Sequence, residues 1–121
     1  MNKGYEDVLS SISSSNPTPG GGSVSALILS HAQSLATMVA RLTSGRDKWS
    51  DGQGIAEEII SKSNESIETS LRLAKEDALA FDSVMSSYRL PRATDELKET
   101  RKEAIFDSTI NAASVPLEIM Y

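Results

Sequence analysis

The residues with the clearest chemical potential form a proline- and glycine-rich segment near the N-terminus, Pro17-Thr18-Pro19-Gly20-Gly21-Gly22-Ser23. Three glycines that lead into a helix would expose backbone N–H groups at the positive end of the helix dipole. Because glycine has no side chain, a flat or anionic ligand could approach that backbone closely. The hydroxyls of Ser23 and Ser25 add hydrogen-bonding groups. The segment therefore predicts a small-molecule site, with a flexible linker that ends in a helix cap as the alternative.

A second candidate is an aspartate inside a predicted helix. Asp77 shares a helical face with Phe81, Val84 and Tyr88. A carboxylate on an apolar face is costly unless it is paired or functional, so Asp77 is a candidate general acid or base. The alternative is an aspartate that bonds a backbone amide or caps a neighbouring helix. Asp82 follows about 140° further around a helix of about 3.6 residues per turn, so it cannot form a dyad with Asp77 and ranks second.

The other polar candidates are a histidine and a pair of arginines. His31 is the only histidine, and its apolar neighbours favour an interior or interface position over catalysis. With one histidine and no cysteine, a transition-metal site would depend almost entirely on carboxylates, so we predict no metal site. Arg89 and Arg92 lie at a predicted helix end, where they could hold a carboxylate group or form a solvated turn.

Helices must position these residues. Apolar periodicity predicts four helices, over residues 5–12, 24–43, 55–88 and 95–113. Ser23 is predicted to cap the second helix and Gly45 to stop it. Thr94 is predicted to cap the fourth helix. Pro116 is predicted to interrupt it, and residues 117–121 are predicted to begin another apolar helix. No strand alternation is present, so the predicted fold class is all-α, an antiparallel up-and-down helical bundle with one long helix.

The buried faces of the two longest helices are predicted from their large apolar residues. In the second helix these are Leu27, Ile28, Leu35, Met38, Val39 and Leu42. In the third helix the predicted apolar stripe consists of Ile59, Ile60, Ile67, Leu71, Ala74, Phe81, Val84 and Tyr88. At about 1.5 Å per residue the third helix would span roughly 50 Å, which favours a bundle of long helices, a partner subunit, or both.

Composition narrows the class of protein. A chain of 121 residues fits one domain. The net charge of −5 without a basic block argues against partners that are nucleic acids or anionic membranes. The lack of cysteine excludes disulfides and thiolate sites. No N-terminal signal core is visible and no apolar run is expected to reach the roughly 20 residues of a membrane-spanning helix, so a cytoplasmic location is expected.

Beyond these general patterns, the ordered set of motifs resembles the formiminotetrahydrofolate cyclodeaminase / methenyltetrahydrofolate cyclohydrolase family. The resemblance covers nearly the whole chain. The motifs that carry it are Pro17 to Ser23 with Ala26, Met38-Val39-Ala40, Glu76-Asp77-Ala78 with Phe81-Asp82, Leu90-Pro91, and Ala112-Ala113 with Val115-Pro116-Leu117.

This resemblance implies a helical homodimer with a folate site near the subunit interface. It implies a tetrahydrofolate derivative as substrate and no metal or redox cofactor. The segment from Pro19, Gly20, Gly21 and Gly22 to Ser23 would then line the folate pocket. Asp77 would be the general acid or base with Asp82 second, and Arg89 and Arg92 would meet the glutamyl tail.

The resemblance also implies a specific chemistry. Family members run well beyond Pro116, so residues 1–121 are expected to form an incomplete cyclodeaminase-type domain. The leading hypothesis is cyclodeamination of 5-formiminotetrahydrofolate to 5,10-methenyltetrahydrofolate with release of ammonia. The alternatives are a methenyltetrahydrofolate cyclohydrolase and a non-catalytic module that dimerises through its long helix.

Overall fold

The computed structural model describes residues 3–120, and this part of the chain is helical without any strand. It contains α1 (Lys3–Ile12), α2 (Gly21–Thr43), α3 (Gln53–Tyr88) and α4 (Asp95–Met120), with a short 3-10 helix (Asp47–Gly52) between α2 and α3. The predicted all-α class, with one helix longer than the others, is confirmed.

Helices α2 and α3 form an antiparallel hairpin. Near its closed end, the side chain of Gln53 accepts a bond from the Gly45 amide (2.9 Å) and donates to the Thr43 carbonyl (3.0 Å). Halfway along, the Ser70 hydroxyl donates to Gln33 Oε1 at 2.9 Å. Helix α4 then returns along α3, and the Arg101 guanidinium binds the Tyr88 carbonyl at 3.2 Å. This hairpin brings the start of α2 beside the C-terminal half of α3.

The contact between α2 and α3 is made of small residues. Helix α2 buries residues spaced three, four or seven apart, namely Ser23, Ala26, Ser30, Thr37 and Ala40. Helix α3 buries Ala56, Ser63 and Ser70 at a spacing of seven, followed by Leu73, Ala74, Ala80 and Ser87. A recurrence of this kind keeps one seam facing the partner helix, and small side chains allow the two backbones to approach closely.

The predicted apolar stripe of α2 is therefore wrong. Ile28 and Leu35 are 64% and 59% exposed, and Val39 and Leu42 are 56% and 54% exposed. Only Leu27 of the predicted set packs against the buried core. Side-chain size explains this result, because the seam that brings two backbones together excludes large aliphatic side chains and leaves them on the outer face.

Helix α3 departs from its predicted stripe in the same way. Leu71 and Phe81 are 47% and 40% exposed. Ala74 of the predicted stripe is buried as expected. It forms the core together with Leu73 and Ala80, which were not predicted, and with Ala26 and Val115 of the neighbouring helices. The core is thus narrow, and much of the large apolar surface of this chain lies outside it.

Both ends of α2 depend on glycine. The helix begins at Gly21 with Gly20 as its N-cap, so the prediction that Ser23 caps this helix is wrong. Ser23 is instead the third helical residue, because the glycines before it adopt helical geometry themselves. At the other end Gly45 has a φ of 74°, which L-residues with a side chain rarely adopt. The predicted stop at Gly45 is confirmed.

Helix α4 is continuous through its proline. Thr94 caps it as predicted, since the Leu97 amide donates to Thr94 Oγ1 at 3.2 Å. Pro116 lies inside the helix, so the predicted interruption is wrong. Val115 is buried in the core and Ile119 packs against it, and these contacts with α3 offset the missing backbone bond. The separate helix predicted from Leu117 is likewise absent among the described residues, because α4 continues to Met120. Tyr121, the last residue of that prediction, lies outside the described residues.

By length and composition, α2 is apolar enough to cross a membrane. The expectation that no apolar run reaches that length is therefore wrong for Gly21–Thr43. A single helix of this kind is weak evidence for a membrane span, because core helices of soluble proteins meet the same criterion. In this fold the helix packs its small-residue seam against α3.

Candidate functional site

The carboxylate of Asp77 lies against the first turn of α2. Its Oδ2 atom accepts two hydrogen bonds from Ser23, one from the backbone amide at 2.7 Å and one from the hydroxyl at 2.9 Å. Asp77 on α3 thus caps α2 from outside that helix, and its charge faces the positive end of the helix dipole. The structural alternative considered for Asp77, a bond to an amide of a neighbouring helix, is present in the fold.

The second oxygen of this carboxylate is not used in the same way. Among residues 3–120, both hydrogen bonds to Asp77 reach Oδ2 and none reaches Oδ1. The side chain is partly buried, while Ser23 is only 1% exposed. Asp77 therefore has one oxygen held by the protein and one oxygen free to accept a proton or a hydrogen bond from a ligand.

Gly22 makes room for this arrangement. A Cβ atom at Gly22 would lie 2.6 Å from Cγ and 2.7 Å from Oδ2 of Asp77, and still closer to Oδ1. Real side chains do not tolerate such distances. A residue with a side chain at this position would displace the carboxylate, so the glycine is required by the packing of Asp77 against the helix.

A cavity of about 380 Å³ opens beside this carboxylate. Small-molecule sites commonly have volumes of about 300–1,000 Å³. Its lining combines the glycine-rich turn with residues of α3 and α4, namely Pro17, Thr18, Gly20, Gly21, Gly22, Asp77, Phe81, Ala112 and Pro116. Within residues 3–120 the amides of Gly21 and Gly22 have no hydrogen-bond acceptor. The lining thus includes two residues with unpaired backbone amides and the aspartate whose Oδ1 accepts no hydrogen bond within residues 3–120.

Asp82 lies about one and a half turns beyond Asp77 on α3 and binds the proline- and glycine-rich segment. Its Oδ1 atom accepts a hydrogen bond from the Thr18 hydroxyl at 3.1 Å. Asp82 itself is exposed and is not among the residues that line the cavity. The two aspartates therefore do not form a dyad. Asp77 binds the first turn of α2, and Asp82 binds the segment that precedes this helix.

The remaining predicted site residues lie around this centre at different distances. Pro19 and Ser23 belong to the segment, but neither is part of the cavity lining. Arg89 and Arg92 follow the C-terminal end of α3, exposed and away from the cavity. At about 1.5 Å per residue, Arg89 lies roughly 18 Å along the helix axis from Asp77.

His31 belongs to a different part of the molecule. Its Nδ1 atom donates to the Leu27 carbonyl at 2.6 Å, which leaves Nε2 as the acceptor for the Tyr5 hydroxyl at 3.3 Å. The side chain is exposed, so of the two predicted positions the interior is excluded, and His31 instead contacts α1. Across residues 3–120, no three histidine or carboxylate side chains cluster as a metal site would require.

Two residues that line the cavity were not among the predicted site residues. Ala112 and Pro116 enter the cavity from α4, and no sequence pattern identifies which helix lies opposite the glycine turn. The position of Asp77 on the face of α3 that packs against α2, by contrast, follows a spacing that is visible in the sequence. Ala56, Ser63 and Ser70 recur every seven residues, and Asp77 is the next member of that series.

The sequence is similar to that of several known proteins. The family model described as formiminotransferase-cyclodeaminase matches residues 4–121. A methenyltetrahydrofolate cyclohydrolase of Methylorubrum extorquens is 35% identical over 116 residues, which cover 96% of this chain and 56% of that protein. The formimidoyltransferase-cyclodeaminase of Rattus norvegicus is 30% identical over 101 residues, which cover 84% of this chain and 19% of that protein.

A solved structure extends the comparison to the fold. The formiminotetrahydrofolate cyclodeaminase of Thermotoga maritima superposes with a TM-score of 0.77 at 28% sequence identity. The match covers 94% of this chain and 52% of that one. The chain therefore spans about half the length of the Thermotoga maritima protein and of the Methylorubrum extorquens protein.

Proposed function

Because the chain belongs to the formiminotransferase-cyclodeaminase family, we propose that it acts on the one-carbon bridge between N5 and N10 of a tetrahydrofolate derivative. The observation that carries the proposal is the free Oδ1 oxygen of Asp77 beside two unpaired backbone amides in one cavity. Chemistry at this bridge needs a group that moves protons and a surface that holds a flat heterocycle. The carboxylate and the bare glycine backbone supply these two requirements.

In the first candidate reaction, cyclodeamination, N10 attacks the carbon of the formimino group on N5. A bond between N10 and this carbon forms, and the bond between the carbon and the formimino nitrogen then breaks. The formimino nitrogen would enter in its protonated form, =NH2+. Asp77 would take the proton from N10 and pass it to this nitrogen, which leaves as ammonia while the positive charge stays on the methenyl bridge. The amides of Gly21 and Gly22 would fix the ligand, so that the reacting atoms stay within reach of the carboxylate.

A second candidate reaction, hydrolysis of the methenyl bridge, is favoured by the relative from Methylorubrum extorquens, which is 35% identical and named a cyclohydrolase. Here Asp77 would take one proton from the attacking water and deliver it to the nitrogen whose bond to the carbon breaks. The second water proton is released to solvent as the formyl carbonyl forms. Both reactions use one carboxylate at one carbon and differ in the nucleophile and the leaving group.

Product analysis on the full chain tests the proposal. With 5-formiminotetrahydrofolate we expect ammonia and 5,10-methenyltetrahydrofolate in equal amounts. If 5-formiminotetrahydrofolate releases no ammonia, and 5,10-methenyltetrahydrofolate loses its absorbance when it is supplied as substrate, hydrolysis is the reaction.

Ligand binding is measured in parallel by thermal unfolding with a tetrahydrofolate analogue. At 100 times its Kd such a ligand stabilises the native state by about 2.7 kcal/mol. p-Aminobenzoylglutamate, which lacks the pterin, is the control ligand. If neither product forms and the ligand causes no thermal shift, the proposed function is contradicted and the non-catalytic helical module is favoured.

We further propose that two copies of the chain associate through α2. Ile28, Leu35, Val39 and Leu42 are each more than half exposed and are spaced seven, four and three residues apart. Such a stripe is the seam that helices use for association, and an exposed apolar surface of this kind marks an interaction site.

Arg89 and Arg92 would meet the glutamyl tail of a ligand that extends from the cavity along α3.

Leu35→Glu should convert a dimer to a monomer in analytical ultracentrifugation at micromolar concentration. The reason is that the substitution places a charge in the middle of the stripe, where association would have to desolvate it. Lys102→Glu on α4 changes an exposed position outside the stripe and serves as the control. A wild-type chain that sediments as a monomer at every concentration would rule out the dimer.

A further inference from the structure

The hydroxyl of Ser23 behaves differently from the other buried hydroxyls of this fold. Six of them donate to a carbonyl one turn earlier in their own helix, namely those of Ser30, Thr37, Ser63, Ser70, Ser87 and Ser108. The Ser70 hydroxyl also lies within hydrogen-bond distance of Gln33 Oε1 on α2. This backward bond is the ordinary way for a serine or threonine to satisfy its hydroxyl inside a helix. Ser23 instead donates across the helix pair to the Oδ2 atom of Asp77.

The position of Ser23 in α2 explains the difference. It is the third residue of the helix, so the residues one turn earlier lie at or before its N-terminus. The Gly20 carbonyl already accepts the Val24 amide at 3.0 Å. The Ser23 amide likewise has no partner within the helix, as is general for the first turn. Both donors of Ser23 are therefore available to the same carboxylate.

Two bonds from one residue to one oxygen fix the orientation of that carboxylate. The amide and the hydroxyl reach Oδ2 at 2.7 and 2.9 Å, and Gly22 packs against the remaining atoms of the group. Rotation of the Asp77 side chain would break both bonds. Oδ1 is held in place as a result, although it makes no hydrogen bond of its own within residues 3–120.

Direct contact between Ser23 and a ligand does not fit this geometry. Ser23 is 1% exposed and does not line the cavity. Its hydroxyl is also occupied by Asp77. Any effect of Ser23 on a ligand must pass through the carboxylate that it holds.

We infer that Ser23 is a positioning residue, whose hydroxyl selects the side-chain orientation of Asp77 in which Oδ1 serves the reacting atoms. The inference rests on the proposed function, in which Asp77 transfers the proton. It assigns Ser23 a role different from folate contact. The backbone amide bond to Oδ2 would persist in Ser23→Ala, so this variant removes one of the two constraints and leaves the cap of α2 in place.

The test is a double-mutant cycle on the full chain with Ser23→Ala, Asp77→Asn and the two combined. Ser23→Ala is expected to lower kcat by about 10- to 100-fold, because misplacing a reacting group by about 1 Å can cost 100-fold. KM should change by less than about threefold. In the Asp77→Asn background the same serine substitution should change kcat by less than about twofold, since its target has already lost its function.

Ser30→Ala is the matched control, because Ser30 is a buried serine on the same face of α2 with a hydroxyl bond inside its own helix. It should leave kcat within about twofold of the wild type, and thermal unfolding should show a folded chain for each variant. An equal loss in kcat from Ser23→Ala in both backgrounds would show that Ser23 acts independently of Asp77 and would overturn the inference alone. A wild-type chain that neither binds a tetrahydrofolate analogue nor turns it over would overturn the proposed function and this inference with it.

Discussion

Gly22→Ala is expected to reduce turnover to about 1% of the wild-type rate or less and to lower the melting temperature. The new methyl group would lie 2.6 Å from Cγ of Asp77, so the carboxylate has to leave its position. That movement breaks the two bonds from Ser23 and removes the cap of α2. Overpacking of this kind typically costs about 1–3 kcal/mol.

The measurement pairs thermal unfolding with the turnover assay, and Gly54→Ala provides the control. A Cβ atom at Gly54 meets nothing within 4 Å, and the residue lies near the start of α3, at the other end of the hairpin. Gly54→Ala should keep full turnover and hold or raise the melting temperature, because alanine favours the helix over glycine by about 0.5–1 kcal/mol. If Gly22→Ala kept both stability and rate, the close packing of Gly22 on Asp77 would not matter in solution.

Asp77→Asn is expected to lower kcat by about 100- to 10,000-fold while KM changes by less than about threefold. An asparagine oxygen can still accept the amide and hydroxyl of Ser23, so the first turn of α2 keeps its cap. The amide group that replaces Oδ1 cannot take up a proton. General acid or base catalysis by one side chain contributes about this factor.

Steady-state kinetics and circular dichroism on the same preparation separate the two roles of Asp77. Asp107→Asn, at an exposed position of α4, makes the same chemical change away from the site and should have wild-type kinetics. A folded Asp77→Asn variant with unchanged kcat would mean that this carboxylate is only a helix cap. The proposed chemistry would then need a different proton donor and acceptor.

The two roles of Asp77 are compatible because they use different atoms. Oδ2 stabilises the helix N-terminus and Oδ1 faces no protein donor within residues 3–120. A carboxylate fixed by one oxygen is preorganised, so the ligand does not have to order it on binding. The same contact thus serves the stability of the fold and the geometry of the cavity.

Several properties of this protein could be read from its sequence because they depend on local order along the chain. The helical class follows from apolar periodicity, and the lengths of α1 and α3 agree with it to within about two residues. The stop at Gly45 and the cap at Thr94 are local signals of backbone geometry and of one side chain. The glycine segment and Asp77 were also identified separately as chemically unusual.

The buried faces of the helices could not be predicted from the sequence, because they depend on how the helices pair. The sequence favours large apolar residues as the buried face of α2, but the fold buries serine, alanine and threonine and leaves Ile28 and Leu35 exposed. Burial depends on which faces meet, and close approach of two backbones selects small side chains. Pro116 is tolerated for a related reason, since the packing of Val115 on α3 offsets the lost backbone bond.

The site itself is a product of the antiparallel hairpin. Ser23 and Asp77 are 54 residues apart in sequence, and no local pattern joins them. Their contact exists because α2 and α3 run side by side in a register that places the first turn of one helix against the C-terminal half of the other. Residue types therefore determined which groups could do chemistry, and the register between two helices determined which of them meet.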